Sequence, residues 1–145
     1  MSILYDLITP PLRAVLTSIG RRRLPTVSGT LKLPGLKAPV DVLRDRWGVP
    51  HLYAKTERDV YTAQGYVHAQ ERLWQMELNR RTANGRLSEL FGKLALDTDR
   101  TALTFGFRRL GQADWARADA KIRQMIEAYT AGVNAYLTSA EYRAP

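Results

Sequence analysis

The sequence contains no cysteine, which excludes disulfide staples, zinc–thiolate centres and thiol nucleophiles from its 145 residues. Histidine is nearly as scarce. His51 and His68 are the only two, and two ligands rarely suffice to hold a transition metal. His68 and Glu71 share a helix face, but in the reverse of the Glu-x-x-His order of di-iron bundles and without a second copy, so a structural role is the better reading of each histidine. No Gly-rich phosphate loop follows a strand, and a nucleotide fold therefore has no support. No run approaches the ~20 apolar residues of a spanning helix. The carboxylates are scattered, with no pair whose spacing assigns a general acid and base. Ser2, Ser28 and Thr30 are the hydroxyls worth testing as nucleophiles; none has a base partner visible in the sequence, and turn roles suit them better. Internal repeats and low-complexity tracts are also missing.

What is present is ordinary for a globular chain. Apolar residues make up 45% and charged residues 25%, enough to bury the core of about one domain. The net charge of +8, from 22 basic and 14 acidic residues, permits association with nucleic acid or an anionic membrane but says nothing of fold. Its distribution is informative. Between Lys55 and Phe91 basic and acidic residues interleave, as on an ion-paired helix surface, whereas a nucleic-acid stripe would be one-signed. The excess sits at Arg21-Arg22-Arg23 and Arg108-Arg109.

Residues 1–24 form an N-terminal arm ahead of a domain spanning 25–145. The arm does not follow the order of a secretory signal: Asp6 and Pro10-Pro11 interrupt its apolar run, and its arginines come last. Leu12, Val15, Leu16 and Ile19 recur at helical spacing, and Gly20 can end the turn. Such an arm either docks on the body of the protein or makes peripheral membrane contact with its arginines facing lipid phosphates. Docking is preferred, because about ten residues bind a membrane weakly by themselves. Residues 25–39 are spaced by Pro and Gly, with a short strand at Thr30–Leu33. Better strands follow at Val40–Arg44 and Val49–Ala54, joined by a connection short enough for a hairpin, with Pro50 at a strand start or edge.

Thr56 reads as an N-cap with Asp59 three residues on. The helix it starts runs to about Thr82, carries apolar residues on more than one face, and is expected to lie buried between other layers. Glu77 is spaced to pair with Arg80 and Arg81. Asn84-Gly85 stops the helix, and a short second one follows over Arg86–Phe91, ended by Gly92. Past Asp97 the pattern thins, then recovers as an apolar stripe from Trp115 to Leu137, broken near Arg117–Asp119. The fold class is α+β, mostly helical with a short β-hairpin. Composition and spacing alone take function no further than that.

Two blocks add more. Asp45-Arg46-Trp47-Gly48-Val49-Pro50-His51-Leu52-Tyr53-Ala54 is followed by Gly65-Tyr66-Val67-His68-Ala69-Gln70-Glu71-Arg72-Leu73-Trp74-Gln75-Met76-Glu77, then by Gly85, Glu89 and Gly92, and later by Tyr129-Thr130-Ala131-Gly132-Val133-Asn134-Ala135-Tyr136. Together these resemble the penicillin amidase family of acylases over roughly residues 28 to 140. Leu52 stands for the commoner Ile and Glu71 for the commoner Asp. The resemblance implies the αββα fold of N-terminal-nucleophile hydrolases and a precursor that cuts itself into α and β chains. It implies hydrolysis of linear N-acyl amides by a Ser at the β-chain N-terminus, whose own α-amino group is the base.

On this reading the chain matches the first part of the α region. It holds neither the nucleophile nor the oxyanion donors, and it ends before the helix that lines the acyl pocket and supplies an acidic calcium ligand. The resemblance implies no cofactor for this chain and allows calcium in the full-length enzyme. Asp45, Gly48, Pro50, His51, Tyr53, Gly65, Tyr66, Gln70, Arg72, Gln75 and Glu77 are then scaffold rather than catalytic residues. The β chain of the same precursor and a small N-acyl substrate are the implied partners, and the chain alone is expected to be inactive and poorly folded. Family members are often periplasmic or extracellular, but cytoplasmic and membrane-peripheral locations stay open here. The alternatives are a truncated, inactive acylase, or a basic helical module that binds nucleic acid or anionic lipid through Arg21–Arg23 and Arg108-Arg109.

Overall fold

The computed structural model describes Pro10, residues 13–18, Gly20, residues 27–140 and Tyr142. Two strands, β1 (Asp41–Arg44) and β2 (Pro50–Tyr53), are followed by five helices: α1 (Glu57–Ala83), α2 (Ser88–Phe91), α3 (Leu96–Phe105), α4 (Phe107–Arg117) and α5 (Ala120–Leu137). A 3-10 turn over Gly92–Ala95 joins α2 to α3. The strands pair antiparallel, with Arg44 opposite Pro50 and Leu43 opposite His51. Pro50 opens β2, where its missing N–H costs least. The expected hairpin is there, and the α+β, mostly helical character with it.

Helix α1 begins at a Thr56 N-cap. The Thr56 hydroxyl accepts the Asp59 amide at 3.1 Å and donates to Asp59 Oδ2 at 2.8 Å. Asp59 is fully buried, and its Oδ1 accepts the Lys37 amide at 2.8 Å, which ties the irregular entry segment to the helix start. These donations from Lys37 and Thr56 hold the Asp59 carboxyl below its ordinary range against the opposing effect of burial.

The core lies where α1 meets α5. Small residues bring the two backbones together: a Cβ on Gly65 would sit 2.0 Å from the Tyr129 carbonyl oxygen, and one on Gly132 would sit 1.9 Å from that of Thr62. Ala63 and Ala69 on α1, with Ala128 and Ala135 on α5, are buried beside them. Tyr66 packs edge-on against Tyr136, with ring centroids 5.5 Å apart.

Four expectations change. Residues 30–33 are not a strand; their alternation has no neighbouring strand to complete a ladder with, and the Pro34-Gly35 turn cuts the segment short. The short helix begins at Ser88 rather than Arg86, because Asp99 accepts the amides of Leu87 and Ser88 at 2.8 Å each and fixes the start there. Helix α1 is buried only from Asp59 to Ala69. At Arg72 its backbone leaves helical geometry (φ −132°, ψ 21°), and beyond that kink Trp74 is 59% exposed. The thin stretch after Asp97 is nevertheless helical as α3 and α4, separated by Gly106 at φ +69°. The stripe from Trp115 breaks at Ala118, as its pattern indicates.

Residues 13–18 of the arm are helical. Val15 and Leu16 face solvent, so the described part of the arm does not bury these side chains against the body. Leu12, Ile19 and Arg21–Arg23 lie outside the described residues, as does Ser2.

Candidate functional site

The first sequence block folds as one locked corner. Asp45 Oδ1 accepts the amides of Trp47 at 2.8 Å and Val49 at 2.9 Å, and its Oδ2 lies 3.4 Å from His51 Nε2. Desolvation pushes the Asp45 carboxyl up, but the Val49 and Trp47 amides and His51 outweigh it, and the net shift is downward. Gly48 closes the turn at φ +79° and donates to the Asp45 carbonyl at 2.9 Å, a backbone geometry that favours glycine. Pro50 and His51 then enter β2. A general base needs a carboxyl or imidazole poised near neutrality. The amides that hold the Asp45 carboxyl below its ordinary range are the ones that shape the turn.

Arg44 fastens the corner to α1. Its guanidinium donates to the Gly48 carbonyl at 3.1 Å, to Gln70 Oε1 at 3.3 Å and to the Glu71 carboxylate. The Arg44 side chain thus bridges the backbone of the first family-like block at Gly48 and the side chains of the second at Gln70 and Glu71. Gly65 and Tyr66 belong instead to the α1–α5 contact. Next to them His68 Nδ1 lies 3.0 Å from the Tyr129 hydroxyl, and burial pushes the Tyr129 phenol up.

Glu77 forms a separate cluster. It accepts from Arg80 and Arg81, with shortest contacts of 2.7 and 2.6 Å. Arg81 reaches Glu89 at 2.6 Å, and Arg86 reaches the same carboxylate. The Arg80 hydrogen bond leads, with help from Arg81, in lowering the Glu77 carboxyl to about 2. Tyr53, Arg72 and Gln75 are exposed, and Arg72 lies at the kink.

The structure thus unites Asp45, Gly48, Pro50, His51 and Gln70, and keeps Glu77 apart. Sequence reasoning passed over Arg44 and Asp99. A lone arginine at a strand end and an acid among scattered acids carry no periodic signal. An open cleft of about 480 Å³ has Val27, Ser28, Thr30 and Leu33 on one side and Tyr66 and Gln70 on the other. Ser28 and Thr30 are exposed there. Among the described residues no group of three or more His, Asp or Glu side chains converges as a metal-ligand set. Arg108 and Arg109 are exposed on α4.

Residues 39–145 match the penicillin amidase family. This chain belongs to that family. It is 48% identical over 116 residues to the penicillin acylase 2 proenzyme of Pseudomonas sp. (strain SE83), covering 80% of this chain and 15% of that protein. It is 39% identical over 114 residues to an acyl-homoserine lactone acylase of Pseudomonas aeruginosa, covering 79% of this chain and 14% of the other. In three dimensions it is similar to the thermostable penicillin G acylase of Alcaligenes faecalis, with a TM-score of 0.60, 31% identity, and coverage of 68% of this chain and 53% of that one. The chain therefore spans about one-seventh of the length of the first two, 15% and 14%.

Proposed function

We propose that this penicillin amidase family chain is the N-terminal part of the α region of an acylase precursor that hydrolyses linear N-acyl amides. The nucleophile is a Ser at the start of the β region, outside residues 1–145, activated by its own α-amino group. Residues 25–145 supply part of the wall of an αββα core. Asp45, Gly48, Pro50, His51, Tyr53, Gly65, Tyr66, Gln70, Arg72, Gln75 and Glu77 act as scaffold. The partners are the β chain and a small N-acyl substrate, and any calcium is held by residues beyond this chain.

The observation that carries this reading is the similarity to a proenzyme across both family-like blocks, in a structure where one clamp, Arg44 to Gln70 and Glu71, joins those blocks. The test begins with the reading frame after the Pro145 codon. It is expected to continue into an acylase-like β region, and its purified product to run as two chains, the larger beginning with Ser, and to release acyl groups from N-acyl amides. A stop codon directly after Pro145, or amide turnover by residues 1–145 alone, overturns it.

A further inference from the structure

The hairpin has two outer edges, and they differ. The Asp45 amide donates to the Val49 carbonyl at 3.2 Å, and the register sets Leu43 opposite His51 and Asp41 opposite Tyr53. Antiparallel ladders alternate bonded and non-bonded pairs, so Val42 and Arg44 turn their amides and carbonyls away from β2. No backbone carbonyl among the described residues accepts either amide. On the far edge of β2, Pro50 stands opposite Arg44 and has no N–H to offer. The edge of β1 is therefore the better one for a further strand.

That edge borders the open cleft of about 480 Å³. All four residues of β1 line the cleft, and none of β2 does. Its floor is a stripe along α1, Ala63, Tyr66, Val67 and Gln70, at the spacing of a single helix face. Thr30, Leu31 and Leu33 form the opposite wall, in the segment whose alternation marks a strand without a neighbour. The slot thus has backbone donors on one side, a helix below and strand-like sequence beyond. An extended chain suits all three, because it answers the donors and acceptors of a strand edge along its whole length. A two-stranded sheet is also marginal until a third strand joins it.

We propose that this cleft seats an extended segment from beyond Pro145 of the same precursor, which pairs with β1 as a third strand. The inference rests on reading the chain as part of a precursor, whose relatives carry most of their length outside the 15% and 14% that it spans. With the segment in place β1 becomes an interior strand, and the sheet extends over the Ala63–Gln70 stripe of α1.

The test is amide hydrogen exchange of the full-length processed protein, read at single residues by mass spectrometry. Val42 and Arg44 are expected to exchange about a hundredfold or more slower than an unstructured chain. Val42→Pro removes one of these donors and leaves the bonds to β2 in place; in the full-length protein this variant should melt well below Val42→Ala. The source of the strand is read by a benzophenone side chain placed at Leu43, which is 60% exposed. Its cross-links outside the hairpin are expected in peptides beyond Pro145. Free exchange at Val42 and Arg44, or equal melting of Val42→Pro and Val42→Ala, overturns the proposal. So do cross-links confined to residues 1–26, which assign the cleft to the N-terminal arm, or cross-links to a second molecule. Acyl release is scored separately. Free exchange in an active enzyme overturns the third strand alone, and slow exchange with cross-links beyond Pro145 in an inactive one overturns the proposed reaction alone. A stop codon directly after Pro145 overturns both.

Discussion

At the scale of single residues, the most demanding positions are the glycines at the α1–α5 crossing. Each brings its own backbone against a carbonyl of the other helix: Gly65 against Tyr129, and Gly132 against Thr62. A methyl group there meets backbone, which cannot rotate away as a side chain can, so the helices must separate along their length. Gly132→Ala is expected to destabilise the chain by about 1–3 kcal/mol or more, despite the gain in intrinsic helix propensity that Ala brings at an unconstrained site. Gly111, on exposed α4, has nothing near its Cβ position and is the control: Gly111→Ala should be neutral or stabilising by up to about 1 kcal/mol. Chemical denaturation of the two variants checks the pair, and equal effects would mean the close approach is not tight. The sequence marks Gly132 as part of the family-like block Tyr129–Tyr136 but gives no physical reason for a glycine there. The difference is made by what lies across the interface.

At the scale of elements, two polar clusters set how α1 meets its neighbours. The Arg44 clamp joins the hairpin to the helix, with side chains 16% and 25% exposed at Arg44 and Glu71. Losing a hydrogen-bonded charge there costs about 1.5–3 kcal/mol, so Arg44→Ala should free β1 and β2 before the α1–α5 pair unfolds. Hydrogen exchange reads this as early loss of protection at Val42 and Leu52, with Tyr66 still protected. The Glu77 cluster ties the end of α1 to α2 through Arg81 and Glu89. The Glu77 carboxyl is lowered from 4.5 to about 2. A carboxyl with a depressed folded-state pKa stabilises the fold above its unfolded value, and that contribution is lost as pH falls. Stability from Glu77 is therefore complete above about pH 5 and fades as pH drops through the range from 4.5 to about 2. Its size is that of a partly exposed ion pair, about 1 kcal/mol or less. Glu77→Gln should flatten this part of the acid melting profile, and an unchanged profile would place the acid sensitivity elsewhere.

These elements also show what was legible beforehand. The hairpin, the Thr56 cap, the Asn84-Gly85 stop and the break near Ala118 rest on local chemistry, namely turn residues, capping hydroxyls and glycine, and all are found where the sequence puts them. The kink at Arg72 has neither Pro nor Gly to announce it. The missing strand at residues 30–33 needed a partner that local alternation cannot provide. Arg44 became visible as a clamp only once β1 lay beside α1. In the same way the motif residues were legible as a family pattern, whereas their division into a corner, a helix crossing and a distant ion cluster required the fold.

At the scale of the whole molecule, the distribution of apolar surface is uneven. The crossing of α1 and α5 is packed, while Trp47, Trp74, Leu94, Leu103 and Phe105 stand more than half exposed. On the proposed reading, the rest of the precursor covers part of this surface. Trp74 is the natural probe, because it follows the kink directly and is 59% exposed. In a variant with Trp47→Phe and Trp115→Phe, Trp74 is the only indole left, the sequence having three. In the isolated chain its emission should resemble that of indole in water and be quenched readily by acrylamide. In the full-length, processed protein the emission should shift to the blue and the quenching fall severalfold. The comparison is independent of activity, since it asks only whether this side of the helix is covered. Equal quenching in both forms would leave Trp74 on an outer surface and remove α1 beyond Arg72 from the interface with the β region. Strong protection already present in the isolated chain would instead mean that this chain covers Trp74 with its own residues.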